Sequence, residues 1–423
     1  MSRVEIRGSP NRGLYLATWG FFVGFAAVAL YGSTSKVLSA QYHLSPYIVG
    51  WLVAMPQLMG SLMRIPFAAW VDSVGGRPAI TTLLGVSIAG MAGLIATLAL
   101  KPPFAAALVF LFGALAGFGV ATFAPGIAQV SYWFPQKRQG YALGFFGGVG
   151  NTAPGIFTLI VPFAVAAWGL LYAYAAWFIF LVIGTAIYVV FAVDAPYFQF
   201  IKAGVRPEEA RALASKRGQE LFPSGALTKA LRLAALKIRT WALVALYFVS
   251  FGGFLTLTTW LPYYYSSFLG LSPTYAGVVT ALGFTLPAAL LRVLGGWLSD
   301  RIGGETTALM AYALVVVGAA VFMAAWSLPV AAAAAFIIAL GMGVANAAVF
   351  KMVPKYVPEA VGGASGWVGG IGAFGGFAIP PVLGYFASTF GVPGYPLGYS
   401  IYVALGAAAL AIVYALMRAS KRP

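Results

Sequence analysis

Apolar runs long enough to cross a bilayer recur from Leu14 to Met417, separated by short turns that carry Pro, Gly and the few charges. About twenty apolar residues cover ~30 Å of hydrocarbon as a helix. About twelve such runs can be laid out, at 14–40, 46–71, 78–99, 103–134, 141–166, 169–193, 239–269, 273–300, 304–326, 329–353, 359–389 and 395–418. With 61% hydrophobic and only 8% charged residues, the chain cannot cover a water-facing surface. The expectation is an all-α membrane protein. The polar stretch Met1 to Gly13 precedes a first run too long for a signal-peptide core, so that run reads as a retained span. Without cysteine, disulfides and thiolate metal sites are excluded.

A net charge of +16 raises nucleic acid as a partner, and the placement of the charge decides against it. If the spans alternate in direction, 21 of the 25 basic residues fall on one side, from Arg3, Arg7, Arg12 and Arg77 to Arg418, Lys421 and Arg422. Only Lys36 and Lys101 fall on the other. This asymmetry predicts a multi-pass protein of the cytoplasmic membrane, with both termini and the stretch 194–238 inside the cell. Anionic lipid is the partner expected for that basic face. Within 194–238, Arg206-Pro-Glu-Glu starts a helix, with Pro near the first position and acids in the first turn. It is expected to lie on the membrane surface.

The two halves repeat. Arg64, Asp72, Gly75 and Gly76 recur as Arg292, Asp300, Gly303 and Gly304, each 228 positions later. Gly140, Gly144, Gly147, Gly148 and Gly150 recur as Gly362, Gly366, Gly369, Gly370 and Gly372, each 222 later. Two matches at nearly one offset imply a duplicated six-span unit. The expected organisation is therefore a six-helix bundle at 1–193, a cytoplasmic linker at 194–238 and a second bundle at 239–423. Paired halves around a central site are how secondary transporters alternate access. Both halves lie in one chain, so a monomer could do the work.

Arg64 and Arg292 each lie eight residues before an aspartate at a span end, about 12 Å into the membrane. A guanidinium at that depth needs a counter-charge or a polar cavity. Yet the acids are Glu5, Asp72, Asp194, Glu208, Glu209, Glu220, Asp300, Glu305 and Glu359, and none falls in the middle of a span. An anion from outside is the natural partner, and the planar fork of arginine suits a planar oxyanion. Asn151, whose repeat counterpart is Ala373, supplies an amide that packing symmetry does not demand and that could donate to such an anion. The glycine rows suit close helix packing, and bare backbone at Gly147 and Gly369 could also face a ligand. Phe25, Phe123, Tyr247 and Phe251 are candidates by their positions in the first, fourth and seventh runs. At the span ends, Asp72-Ser-Val-Gly75-Gly-Arg77 and Asp300-Arg-Ile-Gly303-Gly read as gating and topology motifs, with Asp and Arg pairing with each other or with neighbouring helix ends. His43 is expected to be solvated.

These residues resemble the nitrate/nitrite porter family of the major facilitator superfamily. The loop motifs are similar to the superfamily signature after spans two and eight, with Ala68 where the first copy usually has Gly and Gly296 keeping it in the second. Phe123-Ala-Pro-Gly-Ile-Ala-Gln, Trp133-Phe-Pro-Gln-Lys-Arg-Gln-Gly140 and Gly147-Gly-Val-Gly-Asn151 resemble the family's first nitrate signature. Val349-Phe-Lys-Met-Val-Pro354 and Gly366-Trp-Val-Gly-Gly, running on to Pro380, resemble the second. The resemblance implies nitrate held between Arg64 and Arg292, with hydrogen bonds from Asn151 and Tyr247 and apolar walls from Phe25, Phe123 and Phe251. Some members carry serine at the position of Gly369. It implies no cofactor and no metal.

Two charges near the midplane repel when the site is empty, which favours anion exchange, and no acid or histidine inside the spans offers a proton carrier. The Phe-Lys-Met-Val-Pro form is similar to the proton-coupled branch, so proton symport stays open, as does a carrier of oxalate, formate or another small carboxylate. An enzyme would need an intramembrane base, nucleophile or metal cluster, and a sensor an output domain larger than 194–238. Neither is expected.

Overall fold

In the computed structural model, residues 5–223 and 227–420 are described, and among them all regular structure is helical. Arg3, Lys421 and Arg422, counted above toward the basic side, lie outside the described residues. Eleven helices among the described residues are long and apolar enough to cross a membrane. One of them, Gln136–Phe191, covers 56 residues and turns at Gly169, whose φ of 79° and ψ of 166° leave the helical region. It supplies the fifth and sixth spans, so the expected twelve are all present.

Local chemistry sets the ends. Ser9-Pro10, Ser45-Pro46 and Ser272-Pro273 open the first, second and eighth spans, each serine oxygen accepting from a backbone N–H in the first turn. Gly75 (φ 89°) and Gly303 (φ 86°) end the second and eighth spans in a conformation that costs a residue with a Cβ dearly. The next helices start at once, at Gly76 and Gly304. The repeat seen in the sequence is thus a repeated span–turn–span.

The first span departs from expectation. Its helix runs Pro10–Phe25, tightens over Ala26–Ala29, and breaks before resuming at Ser35–Tyr42. At the break, the Ser33 and Thr34 hydroxyls donate to the Ala29 and Leu30 carbonyls, competing with the helix for its own acceptors. Gly32 lies against the Thr259 backbone, where a Cβ would fall 2.8 Å from its Cα. The seventh and eighth spans each hold one π-helical turn, Phe248–Gly252 and Ala281–Thr285.

The segment 194–238 holds three helices rather than one: Pro196–Lys202, the expected Pro207–Ser215, and Leu227–Ala235. Ala210 and Ala214 of the second pack on Phe200 of the first, with Ile6 beside them. The third lies along the eleventh span, with the Gly363 backbone directly against Ala230 and the Trp367 indole N–H donating to the Leu231 carbonyl at 2.9 Å. Part of the second glycine row therefore serves as a seat for the linker.

The halves meet closely at the end remote from the loop motifs. A Cβ at Gly50 would fall 2.5 Å from the Pro380 carbonyl oxygen, and one at Gly384 2.5 Å from that of Pro46. Nearer the motif end the halves still touch, with Gly370 against Ile65, while Gly144 and Gly362 are exposed and a Cβ at either meets nothing within 4 Å.

Candidate functional site

Pro66 has no N–H to give the Leu62 carbonyl, so the second span is interrupted after Leu62 and restarts at Arg64. That break carries the Arg64 side chain into the interface between halves. It is 1% exposed, and its Nη1 donates to the carbonyl of Gly369 on the eleventh span at 2.8 Å. Nε and Nη2 have no hydrogen-bond partner among the described residues. The guanidinium lies 5.1 Å from the Phe123 ring centroid and 5.2 Å from that of Phe251.

Arg292 approaches the same ring from the other half. Its guanidinium is 6.0 Å from the Phe123 centroid and 5.8 Å from that of Phe350, and Nη1 lies 3.5 Å from the Tyr247 hydroxyl. Among the described residues the four ion pairs are Lys202–Asp194, Lys237–Glu359, Lys351–Asp300 and Lys355–Glu305. Neither arginine takes part. Two cations thus flank one aromatic ring with most of their N–H donors unspent and no carboxylate beside them.

The remaining walls are aromatic. Phe251 stacks on Tyr247 at 4.9 Å, on Phe25 at 6.4 Å and on Phe123 at 6.3 Å. The π-helical turn begins directly after Tyr247 and contains Phe251, and such turns often re-aim side chains at functional sites. Phe350, edge-on to Tyr247 at 5.0 Å, was not among the sequence candidates. A signal for it existed, because it stands 227 positions after Phe123, close to the repeat offsets.

Asn151 caps the helix Gln136–Gly150 and is 2% exposed. Its Nδ2 donates to the Gly147 carbonyl at 2.6 Å, which leaves a second N–H on the same nitrogen, and Oδ1 has no partner among the described residues. No hydrogen bond joins Asn151 to either arginine among the described residues. Gly147 and Gly369 are buried, yet a Cβ at Gly147 would meet only Asn151 Nδ2 at 4.0 Å and one at Gly369 only Phe350 Cζ at 3.8 Å. Their neighbours Gly150 and Gly370 are filled instead, by Phe21 and Ile65. Each glycine row therefore mixes packing positions with a position that keeps space, beside Asn151 in the first row and beside Phe350 in the second.

The loop-motif residues lie away from this cluster, and Asp72 and Arg77 do not pair with each other. Asp72 accepts from the Tyr132 hydroxyl on the fourth span. Arg77 gives its backbone N–H to Asp194 at 2.8 Å and its Nη2 to the Val189 carbonyl at 2.7 Å. Asp300 pairs with Lys351 on the tenth span at 2.5 Å. These bonds tie the motif residues to the fourth and sixth spans and Asp194 in the first half and to the tenth span in the second. His43 caps the helix Ser35–Tyr42 with φ 52° and is exposed.

A model of the Major Facilitator Superfamily matches residues 17–284 and 266–423. The chain is 30% identical to a probable nitrate/nitrite antiporter, NarK1 of Thermus thermophilus, over 90% of this chain and 86% of the relative. It is 32% identical to the probable nitrate/nitrite transporter NarK2 of Mycobacterium tuberculosis, over 88% of each. A nitrite extrusion protein of Bacillus subtilis is 27% identical over 94% of this chain and 91% of its own. In fold, the xylose transporter XylE of E. coli in a partially occluded inward-open conformation aligns with a TM-score of 0.70 at 13% identity, covering 98% of this chain and all of XylE.

Proposed function

The chain belongs to the nitrate/nitrite porter family of the major facilitator superfamily, and on that premise we propose that it exchanges nitrate for nitrite across the cytoplasmic membrane, holding the anion between Arg64 and Arg292. One observation carries the reading: a buried guanidinium keeps Nε and Nη2 unpartnered beside a second arginine, with no acid near either. A cation removed from water at that depth is costly until an anion meets it. A planar oxyanion accepts from both forks at once and lies flat between the rings of Phe123 and Phe251. Tyr247 and the spare N–H of Asn151 add donors, while Gly147 and Gly369 leave the room it needs.

Exchange follows from charge. The empty site brings two like charges together at low dielectric, and an occupied site relieves that repulsion. The halves at 1–193 and 239–423, joined by 194–238, therefore rock most readily when loaded. Both termini and the linker face the cytoplasm, where the basic residues meet anionic lipid.

Labelled nitrate uptake into proteoliposomes loaded with nitrite, nitrate, formate or nothing, with and without an imposed pH gradient, tests the mode. Exchange requires uptake that depends on internal nitrite or nitrate and ignores the gradient. Gradient-driven uptake into empty vesicles would establish proton symport instead. Competition by carboxylates stronger than by nitrite would make the chain a carboxylate carrier.

A further inference from the structure

We propose that Gln57 and Ser61 form a second station for the same small planar oxyanion, between the arginine site and the face remote from the loop motifs, an inference that rests on the transport reading above. Gln57 and Ser61 stand at i and i+4 on one face of the helix Pro46–Leu62, and Arg64 opens the helix that follows the break. At 1.5 Å per residue they climb about 10 Å from the arginine toward the closed end. All three are essentially buried, at 0%, 1% and 1% exposure.

The stripe faces the other half, not its own. Gly370 of the eleventh span lies against Ile65 and the Ser61 carbonyl, and Gly376 lies 3.2 Å from Gln57 Cγ, both measured from the Cβ position. The neighbouring side of the same helix, about a quarter turn away, is spent on packing: Gly60 fits against Val120 and Pro56 against Gly117 of the fourth span. Gln57 and Ser61 thus line the seam that must part when the site opens toward the far side.

Their polar atoms are uncommitted. Gln57 Nε2 and Oε1 and Ser61 Oγ have no hydrogen-bond partner among the described residues, although all are buried. A leucine or methionine at 57 would fill the seam without that desolvation cost. What the pair offers is a short ladder of neutral donors, two N–H and one O–H, directly beyond two cations. Neutral donors suit a passing anion: they compensate its lost hydration without holding it as a guanidinium does, and conduction needs sites weak enough to leave.

The test pairs equilibrium binding with flux. Gln57→Leu and Ser61→Ala are reconstituted beside the wild type, nitrate affinity is measured by titration calorimetry, and nitrate/nitrite exchange is timed with labelled nitrate. The expected result is affinity within about threefold of wild type, an exchange rate at least tenfold lower in Gln57→Leu, and a thermal midpoint no lower than wild type. Ser61→Thr, which keeps the hydroxyl, should exchange faster than Ser61→Ala. Exchange at the wild-type rate in both Gln57→Leu and Ser61→Ala would overturn the station, and so would parallel loss of affinity and rate, which would fold these residues into the arginine site. Wild-type vesicles that take up no nitrate would remove the transport reading itself, a failure visible before any variant is compared.

Discussion

Arg64 is held by Gly369 through one nitrogen and leaves two for a ligand, so its shape matters as much as its charge. Arg64→Lys keeps the charge and loses the fork. A charge-assisted bidentate contact contributes about 1.5–3 kcal/mol, so nitrate binding by the variant, read by calorimetry, should weaken at least tenfold. The glycines give a sharper contrast. Gly150→Ala drives a methyl into Phe21, and overpacking of that kind costs about 1–3 kcal/mol; its melting temperature should fall. A Cβ at Gly147 meets only Asn151 Nδ2, at 4.0 Å, so Gly147→Ala should keep its melting temperature in detergent and lose exchange. Both glycines belong to one row in the sequence, and spacing alone could not say which faced Phe21 and which faced the open space beside Asn151. The arginines were legible because the acid inventory excludes every internal partner, a statement that needs no coordinates. Phe350 was missed for the opposite reason: in a chain this rich in aromatics, its repeat position was the only signal.

Span existence was readable from hydropathy, and the turns at Gly75 and Gly303 from their repeated Asp-x-x-Gly-Gly pattern. The break at residues 30–34 was not, because Ser33 and Thr34 interrupt an apolar run only through bonds to carbonyls one turn back. The π-helical turn at Phe248–Gly252 was equally silent; its Gly252 lies directly against Gly375 of the eleventh span, a contact that no local pattern shows. The linker's third helix, Leu227–Ala235, shows why local pattern was insufficient there too: its seat is the glycine face of the eleventh span and the Trp367 indole. Trp367→Phe removes that hydrogen bond and keeps the ring. Hydrogen exchange in Leu227–Ala235 should then quicken by about fivefold or more, the equivalent of one net hydrogen bond of about 1 kcal/mol, while the site residues stay protected.

The halves are pressed together at Gly50–Pro380 and Gly384–Pro46, at the end remote from the loop motifs. The absence of cysteine makes that seam testable without background: a single Ser61→Cys, close in size to the buried serine it replaces, should resist an impermeant thiol reagent from either side of the membrane until exchange is running. Beneath all of this lies one claim, that an anion completes a pair of arginines that the chain leaves without a counter-charge. Nitrate titration of the wild type, Arg64→Lys and Arg292→Lys in one buffer tests it most directly. The account predicts saturable binding to the wild type and at least tenfold weaker binding to each variant; wild-type affinity in both variants would contradict it.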